Sequence, residues 1–224
     1  MSTTALIAVR NAQAHIVECL DSLGDFDQVL VRDDCSSDRT AAIAHAFGHS
    51  VTINPTHLGQ SETKRQLAQD CDTPHCCFVD ADDVRLAGTL PRQVGTLVDG
   101  VGVAIAPALV LGTVSEISCV ANPYFAAWFG HPAIAICWDT SMLKKLLRRP
   151  LLEGAPEQQL MLRAIKAGVH FAFTGRPVAA YRRDWSPVQA SKASKPVVAI
   201  LRKELLAIAP ATVREQLERL EARP

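Results

Sequence analysis

The apolar residues in the first part of the chain switch repeatedly between two periods, and this restricts the fold more than any other feature. Ala5–Val9 is a short apolar run, and Ile16, Cys19, Leu20 and Leu23 then recur at helical spacing. Gln28–Val31 reads as a strand, Ala41–Phe47 as a helix closing on Gly48, and Val51–Ile53 as a strand. Ser61–Gln69 reads as a helix and Cys76–Val79 as a strand. Strands that alternate with helices through short connections form a parallel sheet covered on both faces. The expected class is α/β, with ligands bound at the carboxyl ends of the strands.

The second half is less regular. Thr89–Leu97 looks helical and Val103–Leu111 strand-like. Ala133–Trp138 reads as a strand, followed by a basic helix over Ser141–Arg149. Glu157–Ala167 is a helix closed by Gly168, with strands near His170–Phe173 and Val178–Tyr181. From Ser191 onward two amphipathic helices are split by Pro210, and Val197, Val198, Leu201, Leu205 and Leu206 repeat at helical spacing. The simplest division is one domain over residues 1–190 and a helical tail over 191–224.

Two clusters of carboxylates fall at strand ends. CCFVDADDV (residues 76–84) leaves an apolar run with Asp80, Asp82 and Asp83, and VRDDCSSDRT (31–40) leaves another with Asp33 and Asp34, then Asp38. On an extended chain Asp80 and Asp82 would point to one side with Cα atoms about 6.6 Å apart. Like charges so placed raise each other's pKa, and a divalent cation relieves the repulsion. Asp-rich turns and helix caps are the plain alternative, and Asp38 or Ser37 fits an N-cap. Two such clusters on neighbouring strands would nevertheless form one acidic rim, and with a metal such a rim can receive a phosphate ligand.

Composition narrows the field. Lys plus Arg and Asp plus Glu both total 23 in 224 residues, so no global field favours nucleic acid. The start, MSTTALIAVRNA, lacks a basic leader, and the longest apolar stretch, Val101–Val114, contains Pro107 and is shorter than the roughly 20 residues a membrane helix needs. The seven cysteines sit mostly in apolar or helical patterns, which predicts reduced, buried thiols in a cytoplasmic protein. Cys71, His75, Cys76 and Cys77 match no standard zinc spacing.

The motifs together resemble family 2 glycosyltransferases of the GT-A type, Rossmann-like fold. VRDDCSSDRT is similar to that family's V-D-D-G-S-x-D-x-T segment, and FVDADD to its strand ending in a DxD motif. HLGQSETKRQLAQ resembles its N-x-G…A-R-N helix, and LIAVRNAQAHIVECLDSL its opening. PEQQLMLRAIKAGVHFAF resembles its E-D-x-x-L-x-x-R…A-G helix, and AAYRRDWSPVQAS its Y-R-x-H…S ending. The likeness spans about residues 4–191, with residues 1–100 as the nucleotide-sugar half and 101–190 as the acceptor half.

The resemblance implies metal-dependent, inverting transfer of a sugar from a nucleotide-sugar, commonly a UDP-sugar, to a hydroxyl of a saccharide, lipid-linked or other acceptor. Asp33, Asp34 and Asp38 would then hold the nucleoside, and Ala8, Arg10, Arg65 and Ala81 would line the donor. Asp80 would touch ribose or metal, Asp82 would hold Mn²⁺ or Mg²⁺, and Asp83 would orient the loop. Glu157 stands at the position of the general base, where the family has the aspartate of its E-D pair. Asp184 replaces a histidine that can complete the metal site in relatives, and Cys35 replaces a glycine, so that turn should differ slightly.

His131 could approach an acceptor, although a structural role suits it better, and Trp128 suits core packing. Lys144, Lys145, Arg148 and Arg149 form a basic helix face that could meet lipid-linked phosphate at the inner face of a membrane, though a solvated face is the default. The tail helices could pack on the domain or pair two copies. Two other readings remain open: a non-catalytic domain that binds a nucleotide-sugar or a partner, and a sugar-phosphate nucleotidyltransferase. The latter usually opens with a glycine-rich basic loop, and Leu6–Ala12 has no glycine. The former predicts a Glu157 turned away from the metal centre.

Overall fold

A computed structural model describes residues 1–98, 100–111, 116–118, 122–182 and 194–222. The alternation forms as expected: β1 (Thr3–Val9), α1 (Ile16–Asp21), β2 (Gln28–Asp33), α2 (Thr40–Ala46), β3 (Ser50–Ile53), α3 (Gln60–Asp70) and β4 (His75–Phe78) follow in order. Next come β5 (Val84–Arg85), α4 (Leu90–Val94), β6 (Val101–Ile105), β7 (Ala108–Leu111), β8 (Glu116–Ser118) and α5 (Pro123–Phe129). A single 3-10 turn leads into β9 (Ile136–Asp139) and α6 (Thr140–Leu146). The described chain ends with α7 (Pro156–Lys166), β10 (His170–Phe173), β11 (Ala179–Arg182), α8 (Ser194–Ile208) and α9 (Ala211–Glu221).

The central sheet has seven strands in the order β10-β6-β9-β4-β1-β2-β3. β9 runs antiparallel to β4 and β6, and the other pairings are parallel. Alternate side chains of each strand enter opposite cores. Leu6, Phe78, Val103 and Trp138 pack with α3, α5, α6, α7 and α8, whereas Ala5, Ile7, Val9 and Cys77 pack with α1, α2 and α4. The carboxyl ends of β1, β2 and β4 therefore share one edge, and both aspartate clusters emerge there.

A second sheet, in the order β5-β11-β7-β8, stands beside this edge of the fold's second half. The run Val103–Leu111, expected as one strand, divides between the two sheets. Pro107 has no N–H to give a ladder, and the chain turns over at Ala106-Pro107, where Ala106 N donates to Ala135 O and Val178 N to Pro107 O, both at 3.0 Å. Helix α5 was hidden in sequence because PYFAAWF has no polar face, and Ala126, Ala127 and Trp128 are all buried. Asn122 starts it, its side chain accepting from Tyr124 N at 2.8 Å.

The helices expected from Ser191 onward do not stand apart: Leu201, Leu205 and Leu217 join the core beneath α5 and α7, and the Arg202 guanidinium lies 4.8 Å from the Trp128 ring. The thiol expectation fails at one pair. Cys77 and Cys137 form a disulfide, because the antiparallel β4–β9 register sets them directly opposite with Cα atoms 4.6 Å apart. Cys35, Cys71 and Cys76 keep free thiols. With one pair oxidised, cysteine usage no longer argues for a reducing compartment. No described helix is long and apolar enough to cross a membrane.

Candidate active site

The second aspartate cluster is a turn and not an extended strand end. β4 stops at Phe78, and Asp83 N donates to Asp80 O at 3.0 Å, closing Asp80–Asp83 into one tight turn. Asp82 and Asp80 thus remain neighbours by folding back rather than by strand alternation. Burial first, and then the Asp80 charge, push the Asp82 carboxyl above the usual carboxylate range. Asp83 is fully buried and Ala81 nearly so, which suits them to shaping the turn.

A cation that the sequence reading passed over ties this turn to the other half of the chain. Lys64 is completely buried, its Nζ donating to Asp80 Oδ1 at 3.0 Å and to Glu157 Oε1, with the Phe78 ring centroid 5.6 Å away. Burial works against its charge, but Asp80 and Glu157 outweigh that and hold its pKa above the ordinary value. Ser61, Lys64, Leu67 and Ala68 form the inward face of α3. Arg65, about 100° further round the helix, lies outside this face and forms a two-pronged pair with Glu62 at 2.6 and 2.5 Å. The cation that joins Asp80 to Glu157 is thus Lys64, while Arg65 stays with Glu62. The signal was the spacing of buried positions along α3, which selects 64 and not 65.

Glu157 sits in the first turn of α7 directly after Pro156, where a helix N-terminus favours both residues. Its Oε2 has no hydrogen-bond partner among the described residues, and its side chain is 21 % exposed. Tyr181 of β11 also belongs to this neighbourhood: burial, followed by the charges of Asp83, Asp80, Asp82 and Glu157, pushes its phenol up.

The first aspartate cluster is largely committed to holding its own loops. Asp34 accepts from Asn54 Nδ2, Leu58 N and Gly59 N at 2.9, 2.8 and 2.8 Å, and His57 Nδ1 lies 2.7 Å from it. Asp38 accepts from Thr40 N at 2.9 Å and from Gln13 N at 3.2 Å, fastening the loop after β1 to the start of α2. Asp33 differs. Its Oδ1 accepts from Ser36 N at 2.6 Å, while its buried Oδ2 has no partner among the described residues. Of the three, Asp33 alone keeps an acceptor oxygen unused. Cys35 takes the left-handed conformation, φ 62°, a region that favours glycine. Ala8 and the exposed Arg10 lie at the end of β1, beside this cluster.

A second carboxylate that the sequence did not single out caps α3. Glu153 Oε1 and Oε2 accept from Gln60 N and Ser61 N, each at 3.0 Å. Gly59 has φ 90°, a backbone conformation that residues with a Cβ rarely adopt, and a Cβ there would also come within 2.8 Å of Glu153 Oε2. His131 is structural: its Nε2 donates to Ala106 O at 2.6 Å, and burial lowers its pKa. Asp184 lies outside the described residues.

Among the described residues no group of three or more His, Cys, Asp or Glu side chains is placed to hold a metal ion. The two carboxylates Asp80 and Asp82 still fit one. Mg²⁺-type sites take one or two carboxylates and complete their shell with substrate phosphates and water, and the Asp80 charge, which after burial is what raises Asp82, is what a cation would offset.

Residues 4–114 match the sequence model of Glycosyl transferase family 2. Among curated proteins none matches the chain significantly. Among solved structures, S. aureus TarS 1-349 in complex with UDP-GlcNAc superposes with TM-score 0.76 at 16 % identity, covering 97 % of this chain and 70 % of that one. A longer S. aureus TarS structure gives TM-score 0.75 at 17 % identity, and the alignment spans only 42 % of its length. Glucosyl-3-phosphoglycerate synthase from Mycobacterium tuberculosis, in complex with Mn²⁺, UDP and glucosyl-3-phosphoglycerate, gives TM-score 0.67 at 21 % identity, covering 94 % of this chain and 81 % of that one. At these identities the likeness shows a shared GT-A fold.

Proposed function

From a chain whose residues 4–114 match the model of glycosyl transferase family 2, we propose metal-dependent, inverting transfer of a sugar from a nucleotide-sugar, a UDP-sugar in this reading, to an acceptor hydroxyl. The observation that carries it is the meeting of Asp80, from the donor half, and Glu157, from the acceptor half, on the buried ammonium of Lys64. A non-catalytic domain would leave Glu157 turned away from the Asp80–Asp83 turn; instead it is tied to that turn.

In this reading Asp33 supports the nucleoside site from beneath, and Asp34 and Asp38 hold the loops that shape the donor cleft. Asp80 and Asp82 would hold Mn²⁺ or Mg²⁺, which supplies a positive charge against the diphosphate as it leaves. Glu157 accepts the proton of the acceptor hydroxyl while that oxygen bonds to the anomeric carbon. The bond from that carbon to the diphosphate breaks on the opposite side, and its electron pair leaves with the nucleoside diphosphate. Lys64 fixes where the Glu157 carboxylate lies and so orients Oε2 toward the incoming hydroxyl. Relatives of similar fold are solved with UDP-GlcNAc and with UDP and Mn²⁺, which supports the choice of donor and metal.

A panel of UDP- and GDP-sugars with and without Mn²⁺, followed by calorimetry and by donor hydrolysis, tests this. Binding of at least one donor should need metal and be lost in Asp82→Asn; equal binding by that variant removes the metal assignment. Glu157→Gln should keep donor binding and lose about 10²-fold or more in turnover. Unchanged turnover removes Glu157 from the role of base.

A further inference from the structure

Basic and exposed apolar side chains converge on the edge that carries the active site. Because β9 runs against β4, the chain enters α6 at the far edge of the sheet, where Thr140 N donates to Pro74 O at 2.9 Å. Helix α6 then runs back toward the carboxyl ends of the parallel strands and delivers residues 148–153 beside the start of α3. Ser61 Oγ donates there to Leu152 O at 2.9 Å, and Gln60, whose N–H meets Glu153, also reaches Asp80 at 3.4 Å. Arg163 pins the segment by donating to the carbonyls of Leu146, Arg149 and Pro150 at 2.8, 2.7 and 2.6 Å.

With the backbone so held, Lys145, Arg148 and Arg149 are exposed, and none has an ion-pair partner among the described residues. No acidic residue occurs from Thr140 to Leu152. Lys144 lies lower, in a cavity with Cys71, Asp72 and Pro74. Charge alone would be read as a solvated face. What changes the reading is that Leu152, in the same segment, is 53 % exposed and that Leu58, in the loop before α3, is 38 % exposed. Large apolar side chains presented among unpaired cations suit a surface that is anionic outside and apolar beneath.

We propose that this edge docks on an anionic lipid surface, with Lys145, Arg148 and Arg149 meeting the headgroup phosphates and Leu58 and Leu152 entering the interfacial layer. The proposal deepens the transferase reading by naming where its acceptor is met, and it rests on that reading only for the placing of the active site at this edge. Docking in this orientation brings the mouth beside Glu157 to the level of the headgroups, within reach of an acceptor anchored in the bilayer.

The test is co-sedimentation of the full chain with vesicles of phosphatidylcholine alone or with about 30 mol % phosphatidylglycerol. Partition should be at least tenfold stronger onto the anionic vesicles and should fall as salt is raised toward about 0.5 M. At about fivefold per basic side chain, Arg148→Ala/Arg149→Ala should weaken it by roughly 25-fold, and Leu152→Ser should cut the salt-resistant part severalfold. Arg92→Glu on α4, which packs on the opposite face of the central sheet, should leave partition unchanged. Equal partition onto neutral vesicles, no partition at all, or insensitivity to the arginine pair overturns the proposal. So does a concentration-dependent dimer abolished by the same pair, which would make the edge a contact between copies. Donor binding measured without lipid separates the two readings, because vesicle partition stands or falls independently of it.

Discussion

Lys64→Met removes the ammonium at the centre of the site while keeping the length of the side chain and its contact with Phe78. Asp80 and Glu157 are then left facing each other with no cation between them. Removing one partner from a buried ion pair costs about 3–5 kcal/mol. The two carboxylates are 26 % and 21 % exposed, so water recovers part of the loss and the low end, about 3 kcal/mol, is expected. For a chain of this size each kcal/mol lowers the melting temperature by roughly 2–4 °C, which gives a fall of about 6–12 °C. The sign of the pH dependence follows from Lys64 itself. Its folded pKa is raised, so its contribution is complete below the ordinary value of 10.5 and is lost only as pH rises through the folded value. The deficit should therefore be the same at about pH 7 and pH 9.

Differential scanning calorimetry on the variant and the parent measures it, and Lys64→Met/Glu157→Gln supplies the internal check. The double variant removes one of the stranded charges and should recover a good part of the deficit, because the penalty arises from the unpaired carboxylate more than from the lost bond. A fall of less than about 2 °C, or a double variant no more stable than the single one, refutes the buried Asp80–Lys64–Glu157 bridge.

Three further outcomes follow from local geometry. Cys35→Gly should raise the urea midpoint by the equivalent of about 0.5–1 kcal/mol, because Cys35 sits at φ 62°; a lowered midpoint would contradict that strain. Unfolding in reductant should remove about 4 kcal/mol of stability, since the Cys77–Cys137 bridge spans 60 residues, and identical melts with and without reductant would argue against the bridge. Asp34→Asn should cost about 2–3 kcal/mol at neutral pH, with the gap closing on acidification. Burial pushes the Asp34 carboxyl up, but its bonds from Asn54, Leu58, Gly59 and His57 outweigh this and hold it low, so its contribution exists above 3.8 and disappears as pH falls through the folded value. A gap that persists at about pH 2 would show the loss to be steric.

The alternation up to β4 was legible in sequence because each element there has a single period and a short connection. The second half was not, for reasons visible in its residues. Val103–Leu111 is continuous in hydropathy but divided by Pro107 between two sheets, and α5 carries no polar face to reveal its period. The Cys77–Cys137 bridge depends on the register of two strands far apart in the chain. At the site, Asp80, Asp82 and Glu157 were legible as carboxylates, since types and spacing mark them. Their partner was not, since choosing between Lys64 and Arg65 requires knowing which face of α3 meets the sheet. Asp33 and Asp34, identical neighbours in sequence, differ only in what reaches them: four donors converge on Asp34, and one oxygen of Asp33 is left without any.

Helix α3 emerges as the joint between the two halves of the molecule. The N–H groups of Leu58 and Gly59 end on Asp34, from the first half of the chain, and those of the next two residues, Gln60 and Ser61, end on Glu153, from the second half. A helix start has such donors in excess, and a carboxylate answers both their hydrogen bonding and their partial positive charge. About one turn further on, Lys64 repeats the arrangement with a full charge, held by Asp80 on one side and Glu157 on the other. One rigid element thus sets the distance between the carboxylates that would hold the donor and the one that would activate the acceptor. The separation of Asp80 and Glu157 is therefore governed by α3, even though neither residue belongs to it.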